Sequence, residues 1–191
     1  MNKSDAKLQL SAEEMRLVTD PAWILTKNSA IRKVVEMFGD LSGQWRGILP
    51  WDCDPRISRG EQYKGLPWVM LDYPRVFGKE DIFAIRTMFW WGHYFSVTLH
   101  LKGEYLRTYL PVILARRAEL EAAGFWPGVS DEEWEHDHLP GAWGSGELES
   151  GTWGHENGNG QFFKLSARCE LDQSACLTEK FGILAGILVT T

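Results

Sequence analysis

The chain has 191 residues, 44% of them hydrophobic and 24% charged. That is the profile of a globular protein able to bury roughly 70% of its unfolded surface in one core, and one domain spanning residues 1–191 is expected. A formal charge of −6 and a pI near 5.4 exclude the concentrated basic surface that phosphate-backbone binding needs, so nucleic acid is not an expected partner.

Ser11 followed by Glu14 forms a capping-box pattern that predicts a short helix over residues 12–19, interrupted by Pro21. A longer helix follows near Ser29, where Ile31, Val34, Val35, Phe38 and Leu41 make one apolar stripe. Gly39 and Gly43 weaken its end, so it stops there or continues in a second piece through Trp45 and Leu49. Residues 50–65 mix Asp, Pro, Gly and Arg without periodicity and read as a loop. Residues 66–102 then alternate at a spacing of two and predict strands over 67–73, 82–91 and 94–102. Gly92-His93 is the expected two-residue hairpin turn between the second and third. A helix over 110–123 follows, with Pro111 in its first turn, Gly124 past its end and an Arg117–Glu121 pair along it.

Residues 125–160 carry Trp126, Trp134, Trp143 and Trp153 among many glycines and an acidic cluster. A connection this long is uncommon unless it is functional or disordered, and its aromatic content argues against disorder, so it reads as a partly structured flap. Residues 161–171 alternate cleanly as a strand, and 174–191 start as a helix whose end could also be a strand. The order predicts an α+β fold: an antiparallel sheet of about four strands, helices on one face, and the Trp/Gly-rich flap over the other.

An odd count of cysteines (Cys53, Cys169 and Cys176) without a CxxC pair, and no signal-peptide pattern, predict free thiols in a reducing, cytoplasmic setting. The apolar run 181–189 is about half the roughly 20 residues of a membrane span, so a membrane is not expected.

The alternation assigns Val69, Leu71, Phe83, Ile85, Phe95, Val97, Leu99, Phe163 and Leu165 to the helix-covered face. Trp68, Met70, Asp72, Arg86, Met88, Trp90, Ser96, Thr98, His100, Lys164, Ser166 and Arg168 fall on the other. Arg86 and Arg168 are planar donors suited to a carboxylate or phosphate, although cross-strand pairs such as Asp72–Arg86 would account for them equally. His100, oriented by Asp72 or a hydroxyl, is a candidate proton carrier. The ligand-site candidates are Trp68, Arg86, Trp90, Thr98, His100, Trp143 and Arg168, and the weak catalytic candidates His100 and Asp72. His136 and His138 are in His-x-His spacing, and with His155 they form a candidate set for zinc or another divalent metal. Short HxH patterns are common and HExxH is absent, so no cofactor is the default expectation.

The segments ISRGEQYKGLPWVMLDYPRVF (57–77) and FAIRTMFWWGHYFSVTLHLKG (83–103), with ILTKN at 24–28, are similar to a family of uncharacterised bacterial proteins of about this length, associated with the Bacteroidota. The resemblance is strongest over residues 24–103 and implies a stand-alone bacterial cytoplasmic domain, with no activity or catalytic residue attached. Three readings follow. The first is binding of a small, partly apolar, anionic ligand or a partner peptide between the sheet and the flap. The second is a metal-assisted hydrolase using His136, His138 and His155. The third is a non-catalytic subunit of a protein assembly.

Overall fold

The computed structural model describes residues 9–128, 132–137, 153 and 161–189. Helices α1 (Ala12–Thr19) and α2 (Pro21–Trp45) come first. The Ser11–Glu14 capping box forms as expected. The first helix ends before Pro21 as expected, but α2 starts at Pro21 itself rather than near Ser29, because a first-turn position needs no N–H donor and the Asp20 side chain accepts from Ala22 N at 2.9 Å. The glycines do not stop α2, which runs unbroken to Trp45 because Phe38, Leu41 and Trp45 are buried beneath it.

Strands β1 (Arg56–Tyr63), β2 (Leu66–Phe77), β3 (Ile82–Trp90), β4 (Phe95–Lys102), β5 (Phe125–Pro127) and β6 (Phe162–Cys169) form one antiparallel sheet in the order β1-β2-β3-β4-β6-β5. The α+β class holds, but six strands stand where about four were expected. The two additions are the edges. β1 lies in the segment read as a loop, since an edge strand with one neighbour and much solvent contact needs no apolar alternation. β5 has only three residues. The β3–β4 connection has four residues rather than two, closed by Trp90 N to Tyr94 O at 3.0 Å and His93 N to Trp90 O at 3.1 Å, with Gly92 at φ +75°.

After β4, α3 (Glu104–Ala115) begins six residues before the predicted start, so Pro111 lies inside it. Asp81 makes the early start possible: its carboxylate accepts from Glu104 N at 2.7 Å and caps the helix from another strand's end. A break at Arg116 starts α4 (Arg117–Ala122), where Arg117 pairs with Glu121 at 2.8 Å. In the C-terminal segment the described residues form one helix, α5 (Ala175–Val189), with no strand at its end.

The core lies between the helices and one sheet face, with all nine residues expected there in it. Trp45 stacks on Phe181 at 3.9 Å, and Phe38 packs against Phe95. The free-thiol expectation needs correction: Cys169, ending β6, and Cys176, opening α5, form a disulfide across a seven-residue separation, and Cys53 alone is free. The tight turn between β6 and α5 brings their Cα atoms to 5.9 Å, a proximity that no sequence motif announces. No described helix is long and apolar enough to cross a membrane.

Candidate functional site

On the face opposite the helices, the antiparallel register lines polar groups into rows. One row crosses all six strands: Arg56, Asp72, Arg86, Thr98, Ser166 and Trp126. Arg86 Nε donates to Asp72 Oδ1 at 2.7 Å, and Thr98 Oγ1 lies 2.7 Å from Ser166 Oγ. The next row holds Ala84, His100 and Lys164. On the other side lie Met70, Met88, Trp90 and Tyr94, a small apolar cluster flanked by Tyr63, Leu66 and Trp68.

Two β-bulges change which residues share this face. The register shifts between Asp72 and Arg75, so Phe77 falls on the same side as Asp72 despite its odd number. A second shift between Gly60 and Tyr63 does the same for Tyr63. Strict alternation misassigns both. Gly60 faces Trp68 across the β1–β2 pair, and a Cβ there would lie 2.6 Å from the indole nitrogen, so only glycine lets the ring lie flat over the strand.

Residues 132–137 lie across this face. Glu133 pairs with Lys102 at 2.9 Å and approaches His100 Nε2 to 3.4 Å. Lys164 donates to Glu135 O at 2.6 Å. The Tyr63 hydroxyl donates to the Glu135 carboxylate and accepts from His136 N at 2.8 Å and Asp137 N at 2.6 Å, while Lys64 pairs with Asp137 at 2.9 Å. Trp134 covers Arg86, whose guanidinium carbon is 5.5 Å from one of its ring centroids and 5.4 Å from that of Phe77. An acidic segment thus caps a basic sheet face.

Burial, together with the positive charges of Lys164, Arg86, His136 and Lys102, pushes the His100 pKa down to about 2, so the imidazole is neutral. It is 1% exposed, and neither ring nitrogen has a hydrogen-bond partner among the described residues. Burial and then Arg86 lower Lys164 to about 8, with Glu135 and Glu133 opposing. Burial and then the Glu135 contact push the Tyr63 hydroxyl upward. Burial also pushes Glu135 upward, but the Tyr63 hydroxyl, Asp137 N and Lys64 outweigh it and hold its carboxyl below the usual range.

Between residues 134–136 and strands β1–β3 a cleft of about 380 Å³ remains open, within the range of small-ligand pockets. Tyr63, Trp68, Met70, Arg86, Trp134 and His136 form most of its lining. Only the Arg86 Nε is hydrogen-bonded among the described residues; its two terminal nitrogens are available to a ligand. A larger hollow of about 710 Å³ lies at the start of α3, near Lys79 and Arg107, but among the described residues it contains no orphaned buried polar group.

Of the expected ligand residues, Trp68 and Arg86 meet in the cleft. Trp90 lies buried beneath it, stacked on His93 at 3.7 Å. Thr98 is taken up by Ser166, and His100 is screened from the cleft by Trp134, 5.5 Å away ring to ring. Asp72 serves Arg86 and not His100, whose nearest carboxylate is Glu133. Arg168 is two strands and two residues from Arg86, on the order of 12 Å between Cα atoms, and sits over the Tyr94 ring with Glu170 beside it. The two arginines therefore do not form one clamp. Trp143, His138 and His155 lie outside the described residues, and among those described no group of three metal-ligating side chains occurs. Trp153 packs against the main core, under Arg117.

Sequence reasoning missed Gly60 and Tyr63 because residues 50–65 read as a loop, and Phe77 because the predicted strand ended at residue 73. Comparison with protein-family models, with curated proteins and with solved structures finds no match to this chain.

Proposed function

We propose that the protein binds a small molecule with a flat apolar body and one anionic group, a carboxylate or a phosphate, in the cleft under residues 134–136. Trp68, Met70 and Trp134 supply the apolar walls, and the Arg86 terminal nitrogens hold the anion. The observation that carries this reading is Arg86 itself. It is held rigid by Asp72 and by two aromatic rings, yet its outer fork faces a concave space. Pre-organisation of that kind lowers the entropic cost of gripping a ligand. Residues 132–137 act as the roof, part of the Trp-rich flap proposed for 125–160.

A catalytic reading rests on one separate observation. The Lys164 amine, lowered to about 8, can exchange a proton near neutral pH, and it sits one row beyond the cleft beside the neutral His100. Trp134 stands over His100 on the cleft side and Lys164 is absent from the cleft lining, so binding is the primary proposal.

The test is a thermal-shift and tryptophan-emission screen of untagged protein against aromatic carboxylates, nucleotides and sugar phosphates. A ligand at 100 times its Kd should add about 2.7 kcal/mol of stability. Arg86→Gln should abolish the response to anionic ligands while the variant still unfolds cooperatively. A screen without any anionic hit, or hits unchanged in Arg86→Gln, refutes the proposal.

A further inference from the structure

From Ser11 to Thr26 every residue is exposed, although nearly all are helical and many are apolar. Met15, Leu17, Val18, Trp23, Ile24 and Leu25 stand in solvent, with Val18 66%, Trp23 56% and Leu25 64% exposed. The first buried residue of α2 is Ile31. Two turns of α2 and all of α1 therefore project from the body as an arm. An eight-residue helix such as α1 is below the roughly 12–15 residues an isolated helix needs in water, so its apolar side chains call for a partner surface.

We infer that this arm pairs with the same arm of a second copy, related by a two-fold axis. The exposed apolar side chains amount to roughly 600 Å², well above the scattered apolar exposure of an ordinary monomer surface. Burying most of it on both copies removes roughly 1,000 Å² in total, the lower bound of a specific interface, before flanking polar contacts are added. Charge is arranged to suit a self-match. Glu13 and Glu14 open the arm and Arg32 and Lys33 follow it on exposed positions of α2; between them the apolar side chains are interspersed with Arg16, Asp20 and Lys27, the last paired with Glu61. Antiparallel pairing sets the acidic end of one arm beside the basic end of the other. A lipid surface fits less well, since the arm leads with carboxylates and the chain carries a charge of −6.

The experiment is light scattering coupled to gel filtration on the untagged full chain, from about 1 to 100 µM, a range that detects micromolar self-association. The expected result is a particle of twice the 21.8 kDa chain mass at the upper end. Val18→Arg and Leu25→Arg, both at positions outside the core, should each return the mass to one chain while cooperative unfolding by tryptophan fluorescence persists. A wild-type monomer throughout the range overturns the inference, as does a dimer that both substitutions leave intact. A monomer that instead co-sediments with phosphatidylcholine vesicles overturns it in favour of a lipid surface.

Discussion

His100 should make the protein lose stability as the pH falls below neutrality, well before its carboxylates are protonated. In the unfolded chain the imidazole titrates near its ordinary 6.5; in the folded protein burial and four neighbouring cationic or ionisable groups bring it to about 2. Between those values the unfolded state holds one more proton, so stability falls with falling pH by about 1.4 kcal/mol per unit once well below 6.5. The contribution is complete above about pH 7.5 and roughly 1.4 kcal/mol of it is gone at pH 5.5, about one unit below the unfolded midpoint, where the slope is already close to its full value. Urea unfolding at half-unit steps from pH 5.5 to 7.5, on wild type and His100→Gln, isolates the effect, because the other four histidines are common to both. The wild-type curve should fall more steeply than that of the variant by that amount. An equal slope refutes the reasoning. A reversed difference would mean that the Glu133 carboxylate, 3.4 Å away, captures the proton and raises the imidazole pKa instead.

Lys164, lowered to about 8 from 10.5, should add stability as the pH rises between those values, and Lys164→Met should remove that rise in alkaline unfolding curves. Gly103→Ala should cost about 3 kcal/mol or more in urea unfolding, since a Cβ would meet Asp81 Oδ1 at 2.2 Å and Glu80 O at 2.4 Å on a backbone with φ +62°. Gly60→Ala should displace the Trp68 ring, costing about 1–3 kcal/mol and abolishing any ligand response in the thermal-shift screen. Arg86→Ala should cost about 3 kcal/mol by leaving the buried Asp72 carboxylate unpaired, more than Arg86→Gln does. Reducing the Cys169–Cys176 bond should lower stability by roughly 2 kcal/mol, the loop-entropy value for so short a ring, as read from Tm with and without reductant.

The central strands were legible because burial on one face enforces period two. Leu71, Ile85, Val97 and Leu165 could be assigned to the core from spacing alone, and they lie there. What escaped obeys other physics. β1 is an edge with no apolar face to advertise it, and β5 is too short to show a period. The bulges at Gly60–Tyr63 and Asp72–Arg75 reverse parity, which moves Tyr63 and Phe77 onto the polar face without any compositional sign. The placement of α3 depended on Asp81, a cap supplied from 23 positions earlier in the chain, whereas local signals pointed to Pro111. In the candidate site, Trp68 and Arg86 were foreseeable as a same-face pair. The partnership of Trp134 and Glu133 with that face depends on contacts 31 or more positions apart, such as Lys102 with Glu133, and no local pattern encodes it.

The way the sheet ends has its own consequence. An open antiparallel sheet presents unpaired backbone donors and acceptors at both margins, a template for adding strands from other molecules. Here one margin is the three-residue β5, too short to seed a ladder. The other, β1, is bent by a bulge and crossed by the Lys27–Glu61 ion pair from α2. Among the described residues both margins are therefore poor templates for adding a strand from another molecule.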